Sequence, residues 1–165
     1  MGAPHGTFEE RLWKKVNKEG PIPSKCPELG CCWEWMGFRS PQGYGRLRDD
    51  SGNTVILHRS VFEIHTGYAL NGQDLDHICN NPCCVNPNHL RIATRSQNAY
   101  NRKKSSTNTS GFKGVDLARG GNKWQARITV DKSRYQLGTF NTPEEAYQAY
   151  CNAAVRLHGN FVNLG

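Results

Sequence analysis

The sequence predicts an α+β chain of two small modules in tandem, and three stretches point to it. Residues 75–102 crowd Asp, His, Cys and Asn into one short, loop-rich segment. Residues 112–140 read as three short strands, and a helix with clear start and stop signals follows between Thr142 and Gly159. Residues 103–110 are basic and then rich in Ser, Thr and Asn, which is the composition of a linker. The expected modules are therefore 1–102 and 111–165.

Composition narrows the class. The chain has 165 residues, of which 36% are hydrophobic, so each module would have a marginal core without a staple. Seven cysteines is an odd number. With metal-type spacing and no export signal, it reads as a reduced intracellular protein. There is no long apolar run, so neither a membrane span nor a signal peptide is expected. The net charge of +7 is unevenly placed, because residues 95–134 hold ten lysines and arginines against two aspartates. That patch suits a polyanion, most simply nucleic acid, though charge alone equally allows a solvated face or an anionic membrane surface.

Taken in order, Met1–Gly6 is expected to be a disordered leader. Phe8–Lys18 reads as a helix capped by Thr7, with Phe8, Leu12, Trp13 and Val16 on one stripe that packs onto the first module. Three prolines make residues 20–30 a loop. Alternation makes Cys32–Gly37 a strand, with Trp33 and Trp35 as core. Gly43–Arg48 and Thr54–His58 are strands joined by a turn at Asp49–Asn53, and Arg59–Thr66 is a helix ended near Gly67. His58 and His65 read as structural. Gly72–Ile78 is the strand entering the crowded segment. Beyond it, Thr94 with Gln97 has capping-box spacing, and a short helix carries Asn98.

Within that segment, Cys79, Cys84 and His89 have the types and spacing of zinc ligands. A loop rich in Asn and Pro cannot hold itself by packing, so a metal is a natural staple. The fourth ligand is expected at Cys32, with Cys31 and Cys83 as competitors. The bland alternative is incidental buried thiols or disulfide partners. Asp76, His77 and Asn98 suggest a second job. An imidazole titrating near neutrality can act as a base. A carboxylate and a carboxamide offer hard oxygens that suit Mg²⁺ or Mn²⁺. Spacing alone equally allows His77 as a zinc ligand and Asn98 as a solvated helix residue.

The stretch LDHICNNPCCVNPNHLRIATRSQNAYNR resembles the ββα-metal finger of HNH endonucleases, in a zinc-bearing form similar to His-Cys box and phage intron-encoded homing enzymes. The resemblance covers roughly residues 33–102. It implies His77 as general base, Asp76 and Asn98 as holders of catalytic Mg²⁺ or Mn²⁺, and Cys32, Cys79, Cys84 and His89 around structural Zn²⁺. His89 stands where many HNH proteins carry their middle Asn, so that role is not assigned to Asn86 or Asn88. The family commonly uses an Arg at the scissile phosphate. Arg46, Arg48 and Arg59 are candidates, with Arg59 favoured because it follows His58.

In the second module, Thr142 caps a helix with Pro143 first and Glu145 as capping-box partner. Ala146, Ala149, Tyr150, Ala153, Ala154 and Leu157 form its apolar stripe. Trp124, Ala126, Ile128 and Val130 would face it, leaving alternate residues on the open face. The motifs FKGV, KWQARI, LGTF and TPEEAYQAY resemble the AP2 DNA-binding domain, a three-stranded antiparallel sheet packed on one helix. The resemblance implies DNA contacts from Lys113, Lys123, Gln125, Arg127, Thr129, Arg134 and Gln136. The linker cations Arg102, Lys103 and Lys104 would add sequence-independent phosphate contacts. Asp116 and Ala118 depart from that family's usual Arg, so a recognised sequence cannot be carried over.

Together the resemblances imply a metal-dependent homing-type endonuclease acting on double-stranded DNA as a monomer or homodimer, away from membranes and inside the cell (the host cytoplasm if phage-encoded). The alternative is a zinc-stabilised DNA-binding regulator without catalysis. An RNA-binding protein would need exposed stacking aromatics, and the open face has few.

Overall fold

The computed structural model describes residues 6–165; of the expected leader, all but Gly6 lies outside the described residues. The chain divides into two compact units, Met1–Ile92 and Ala93–Gly165.

In the first unit, α1 (Phe8–Trp13) starts at the expected Thr7, whose side chain accepts from Glu10 N while the Glu10 carboxylate accepts from Thr7 N. The helix is only six residues long, shorter than the expected Phe8–Lys18. The reason lies in the next residues. Val16–Asn17 form β1, which pairs antiparallel with β2 (Glu34–Trp35), and Lys15 O accepts from Met36 N at 2.8 Å. Arg11 ties the helix down by donating to Arg48 O and pairing with Asp50.

The hairpin β3 (Arg46–Arg48) and β4 (Thr54–Ile56) turns where Asp49 and Asn53 were expected to reverse the chain. Helix α2 (Leu57–Thr66) begins two residues earlier than expected, so His58 sits on the helix rather than on the strand. It ends at Gly67, whose left-handed backbone (φ 67°) suits glycine. Leu12, Trp35, Leu57, Val61 and Val85 form one core cluster, and Phe62, Leu70, Leu75 and Leu90 form another. Strand β5 (Asp74–His77) pairs with β6 (Leu90–Ala93) in a two-stranded sheet. No strand was expected at β6.

In the second unit, α3 (Arg95–Tyr100) has the expected capping box from Thr94 and Gln97. Residues 103–114 contain no helix or strand and are tied locally: Asn108 Nδ2 donates to Phe112 O, and Ser110 Oγ donates to Val115 O. The three-stranded antiparallel sheet runs β7 (Val115–Leu117), β8 (Trp124–Val130), β9 (Ser133–Phe140) in that order. Helix α4 (Pro143–His158) has the expected Thr142 cap and Pro143 start. It buries Ala146, Tyr150, Ala153 and Ala154 against Val115, Ala126 and Ile128. Lys123 and Thr129 are exposed, and Gln125 and Arg127 are half-buried.

Candidate active site and metal centre

The loop between β5 and β6 contains Cys79, Cys84 and His89, and the chain before β2 brings in Cys32. The four ligand atoms lie within 4.8 Å of one another, and all four residues are buried. His89 Nδ1 is 3.6 Å from both Cys32 Sγ and Cys84 Sγ. Tetrahedral zinc with Zn–S of about 2.3 Å and Zn–N of about 2.0 Å requires an S···N separation of about 3.6 Å. The donor set suits zinc, and the two S···N separations already match it. His89 Nε2 lies 3.1 Å from Leu29 O, so Nε2–H donates to the carbonyl and Nδ1 is left as ligand, the usual outer-shell support. Burial, with Cys79 next, holds the Cys32 thiol up to about 11; the Cys79 thiol is also raised, mainly by its contact with Cys84. Such crowded neutral thiols are what a bound cation would deprotonate.

Cys83 lies outside the cluster, with its sulfur against Asn81 Oδ1. Cys31 is half-buried and outside it too. Asn86 caps the turn at Pro87–His89 and donates to Cys31 O, so its amide shapes the loop.

At the end of β5, His77 is buried, and its Nε2 is 3.0 Å from Cys84 O. A carbonyl only accepts, so Nε2 carries the proton and Nδ1 keeps its lone pair. Cys84 thus has two roles: its sulfur belongs to the metal cluster and its carbonyl sets the tautomer of His77. Burial pulls the His77 pKa down, opposed by the Cys84 hydrogen bond and by Asp76. The ring is therefore neutral at pH 7, the state a base needs.

Three neighbours of this site were not placed here from sequence: Tyr44 and Arg91 were not singled out, and His58 was read only as structural. The His58 ring centroid is 4.6 Å from that of His77, and Tyr44 packs on both, at 5.2 and 5.9 Å. Arg91, on β6, donates to Asp76 Oδ2 from Nε at 2.8 Å and from NH2 at 2.7 Å. A signal for Arg91 existed, since a buried carboxylate needs a cationic or hydrogen-bonding partner and β6 follows the loop directly. Nothing in residue order linked His58 to His77.

The candidate phosphate arginines differ in setting. Arg59 NH1 donates to Gln73 O at 2.8 Å. Arg46 Nε is buried without an acceptor, and Arg48 is exposed at the end of its strand. Asn98 is half-buried on α3, which belongs to the second unit. On that unit Lys123, Thr129, Arg134 and Gln136 are exposed, as are Arg102, Lys103 and Lys104. Arg127 forms an ion pair with Asp116. Lys113 differs: its ammonium donates to Tyr100 O, Arg102 O and Asn163 O at 2.6–2.9 Å. Those three bonds match all three donors of an ammonium, so Lys113 clasps the backbone of its own unit.

The comparisons with known proteins bear on the same segment. An HNH endonuclease family model matches residues 55–100, which include His58, Asp76, His77, Cys79, Cys84, His89 and Asn98. The chain is also similar to two proteins of Escherichia phage T7. It is 34% identical to Protein 2.8 over 83 residues, covering 50% of this chain and 56% of that protein. It is 38% identical to Protein 7.7 over 68 residues, covering 41% and 52% respectively. The chain thus spans about half the length of these curated relatives. It is 46% identical over 73 residues to the ethylene-responsive transcription factor ERN1 of Medicago truncatula, covering 43% of this chain and 27% of that protein. No solved structure matches. Among the described residues, no helix is long and apolar enough to cross a membrane.

Proposed function

We propose that this protein is a metal-dependent DNA endonuclease of the homing HNH type, with an AP2-like second module that positions the DNA. The observation that carries the reading is the link between the zinc-type cluster and His77 through Cys84, inside the segment that the HNH model matches. A loop rigidified by metal presents one imidazole as a neutral, tautomerically fixed base. That arrangement serves proton abstraction better than it serves simple structural stapling.

In the proposed reaction, His77 Nδ1 accepts a proton from water as the water oxygen attacks phosphorus. The new O–P bond forms, the P–O3′ bond breaks, and the departing 3′ oxygen takes a proton from solvent. Asp76 and Asn98 offer the hard oxygens that suit magnesium or manganese, an assignment drawn from their order and spacing along the chain. When bound, that ion supplies charge stabilisation at the phosphate and leaving oxygen. Arg91 already meets Asp76, so a cation at that carboxylate shares it with the guanidinium. Arg59 is the favoured further contact to the phosphate. Zinc stays out of the chemistry. Lys123, Gln125, Arg127, Thr129, Arg134 and Gln136 face the DNA, with arginine and glutamine able to read purine edges. The likeness to a transcription factor supports a DNA-facing role. With one active site per chain, double-strand cleavage requires a dimer or two successive cuts.

The test is incubation with supercoiled plasmid and Mg²⁺, beside EDTA and His77→Ala controls. Nicked or linear DNA that depends on both the ion and His77 is the expected result, with His77→Ala still binding DNA. Tight DNA binding without cleavage, with Mn²⁺ and varied substrates included, would move the assignment to a zinc-stabilised DNA-binding regulator.

A further inference from the structure

Helix α2 begins without a side-chain cap. It follows β4 directly, its N-cap position is Ile56, and no side chain among the described residues caps the first turn. That turn contains no acidic residue. Leu57 N donates to Gly45 O at 3.0 Å. The amides of His58 and Arg59 come next, at positions where a helix has no internal acceptor to offer. This end of the helix does not lie out in solvent, since Leu57 and His58 are both buried. A helix N-terminus of this kind has the N–H groups and the partial positive charge that suit an anion.

The His58 side chain is a second, independent sign. It is only 7% exposed and makes ring contacts with His77 and Tyr44. Of its two ring nitrogens, Nδ1 alone is sealed without a hydrogen-bond partner among the described residues. Burial, followed by His77 and Arg59, holds its pKa down to about 3, so at pH 7 the ring is neutral with one N–H. A buried N–H without an acceptor is the costlier orphan, which puts the proton on Nε2 and leaves the bare lone pair on Nδ1. Leucine would fill this place on α2 without orphaning a polar atom. A buried polar group kept at the expense of stability marks a functional position. The two neighbouring rings then spend their protons differently. His77 commits Nε2–H to Cys84 O and keeps Nδ1 for the proton it abstracts, whereas His58 has Nε2–H to give. One acceptor and one donor stand on rings whose centroids are 4.6 Å apart.

We propose that the first turn of α2 cradles the phosphate under attack, with His58 Nε2–H donating to one of its non-bridging oxygens. The assignment rests on the reading of His77 as the base of a DNA endonuclease and adds a second residue that touches the substrate. A donor fixed in advance and shielded from water stabilises charge growing on the phosphate far better than water does. Being neutral, His58 adds no repulsion toward a metal ion or toward Arg59.

The test uses the zinc-loaded full chain, supercoiled plasmid and Mg²⁺ under single-turnover conditions. Wild type is compared with His58→Leu, which has no donor, and with His58→Gln, whose carboxamide N–H reaches about as far as Nε2. Duplex affinity without magnesium and melting temperature are measured on the same proteins. The expected result is nicking slowed about 10- to 100-fold in His58→Leu, the worth of one hydrogen bond to a charged group, with most of the rate recovered in His58→Gln. Duplex affinity stays near wild type, and His58→Leu melts no lower than wild type because it removes an orphaned polar atom. Undiminished nicking by His58→Leu would overturn the proposal and leave the endonuclease reading standing. Equal losses in both variants, or a His58→Leu that melts well below wild type, would make the ring a packing element and overturn the proposal too. No magnesium-dependent nicking by wild type would overturn both readings.

Discussion

Acid should destabilise the first unit through His58, by an amount the structure sets. The imidazole is buried and its Nδ1 has no hydrogen-bond partner. Protonation would leave a buried N–H without an acceptor, beside His77 and near Arg59. Burial first, and those charges second, hold its pKa down to about 3, from an ordinary 6.5. The folded state therefore refuses a proton that the unfolded chain accepts. The stability contributed by keeping His58 neutral is complete above pH 6.5, falls as pH drops below that value, and is lost by about pH 3. At pH 5 the unfolded side chain is 1.5 pH units below its pKa while the folded one remains neutral, which corresponds to about 2 kcal/mol. The assay is urea unfolding at pH 7 and pH 5 for wild type and for His58→Leu, both zinc-loaded. Wild type should lose about 2 kcal/mol more than the variant between the two pH values. Metal release at low pH affects both proteins and drops out of the difference. Equal losses would refute the reasoning, because His58 would then titrate alike in both states.

Three further perturbations probe other joints of the structure. Cys84→Ser should lower the zinc content from one ion per chain, measured by atomic absorption, and unfold the first unit, whereas His77→Ala should retain the metal. Arg91→Met leaves the carboxylate of Asp76 buried without its cation, and should cost about 3 kcal/mol or more in denaturant unfolding. Retained stability would show that Asp76 is readily hydrated or protonated. Gly114→Ala should destabilise the second unit by more than about 2 kcal/mol in thermal unfolding. Its φ is +75° and an added Cβ would lie 2.1 Å from Tyr150 Cδ2, so an unchanged melting temperature would mean that the β7 entry and the α4 ring separate at little cost.

What could be read from residue order and what could not divide along one physical line. Helix caps and metal ligands act through side-chain type at short, fixed spacing, so Thr94 with Gln97, Thr142 with Glu145, and Cys79, Cys84 and His89 were legible. The choice of Cys32 over Cys31 rested on its place directly before Trp33, and the cluster contains Cys32. Interactions closed by tertiary packing were not legible. The His58–His77 contact depends on α2 starting at Leu57 instead of following a longer strand. The shortening of α1 depends on Val16 finding Trp35, a pairing that local helix propensity cannot see. Lys113 was read as a DNA contact from the AP2 resemblance; its ammonium also meets three backbone carbonyls, one of them 50 positions away. A carbonyl leaves no mark in a sequence. The same holds for Cys84, whose thiol announced itself by type while its carbonyl, which holds His77 in one tautomer, did not. The connection between the Cys/His cluster and the proposed base therefore runs through the one kind of group that every residue shares. For that reason loss of zinc should disable the base even where His77 remains intact.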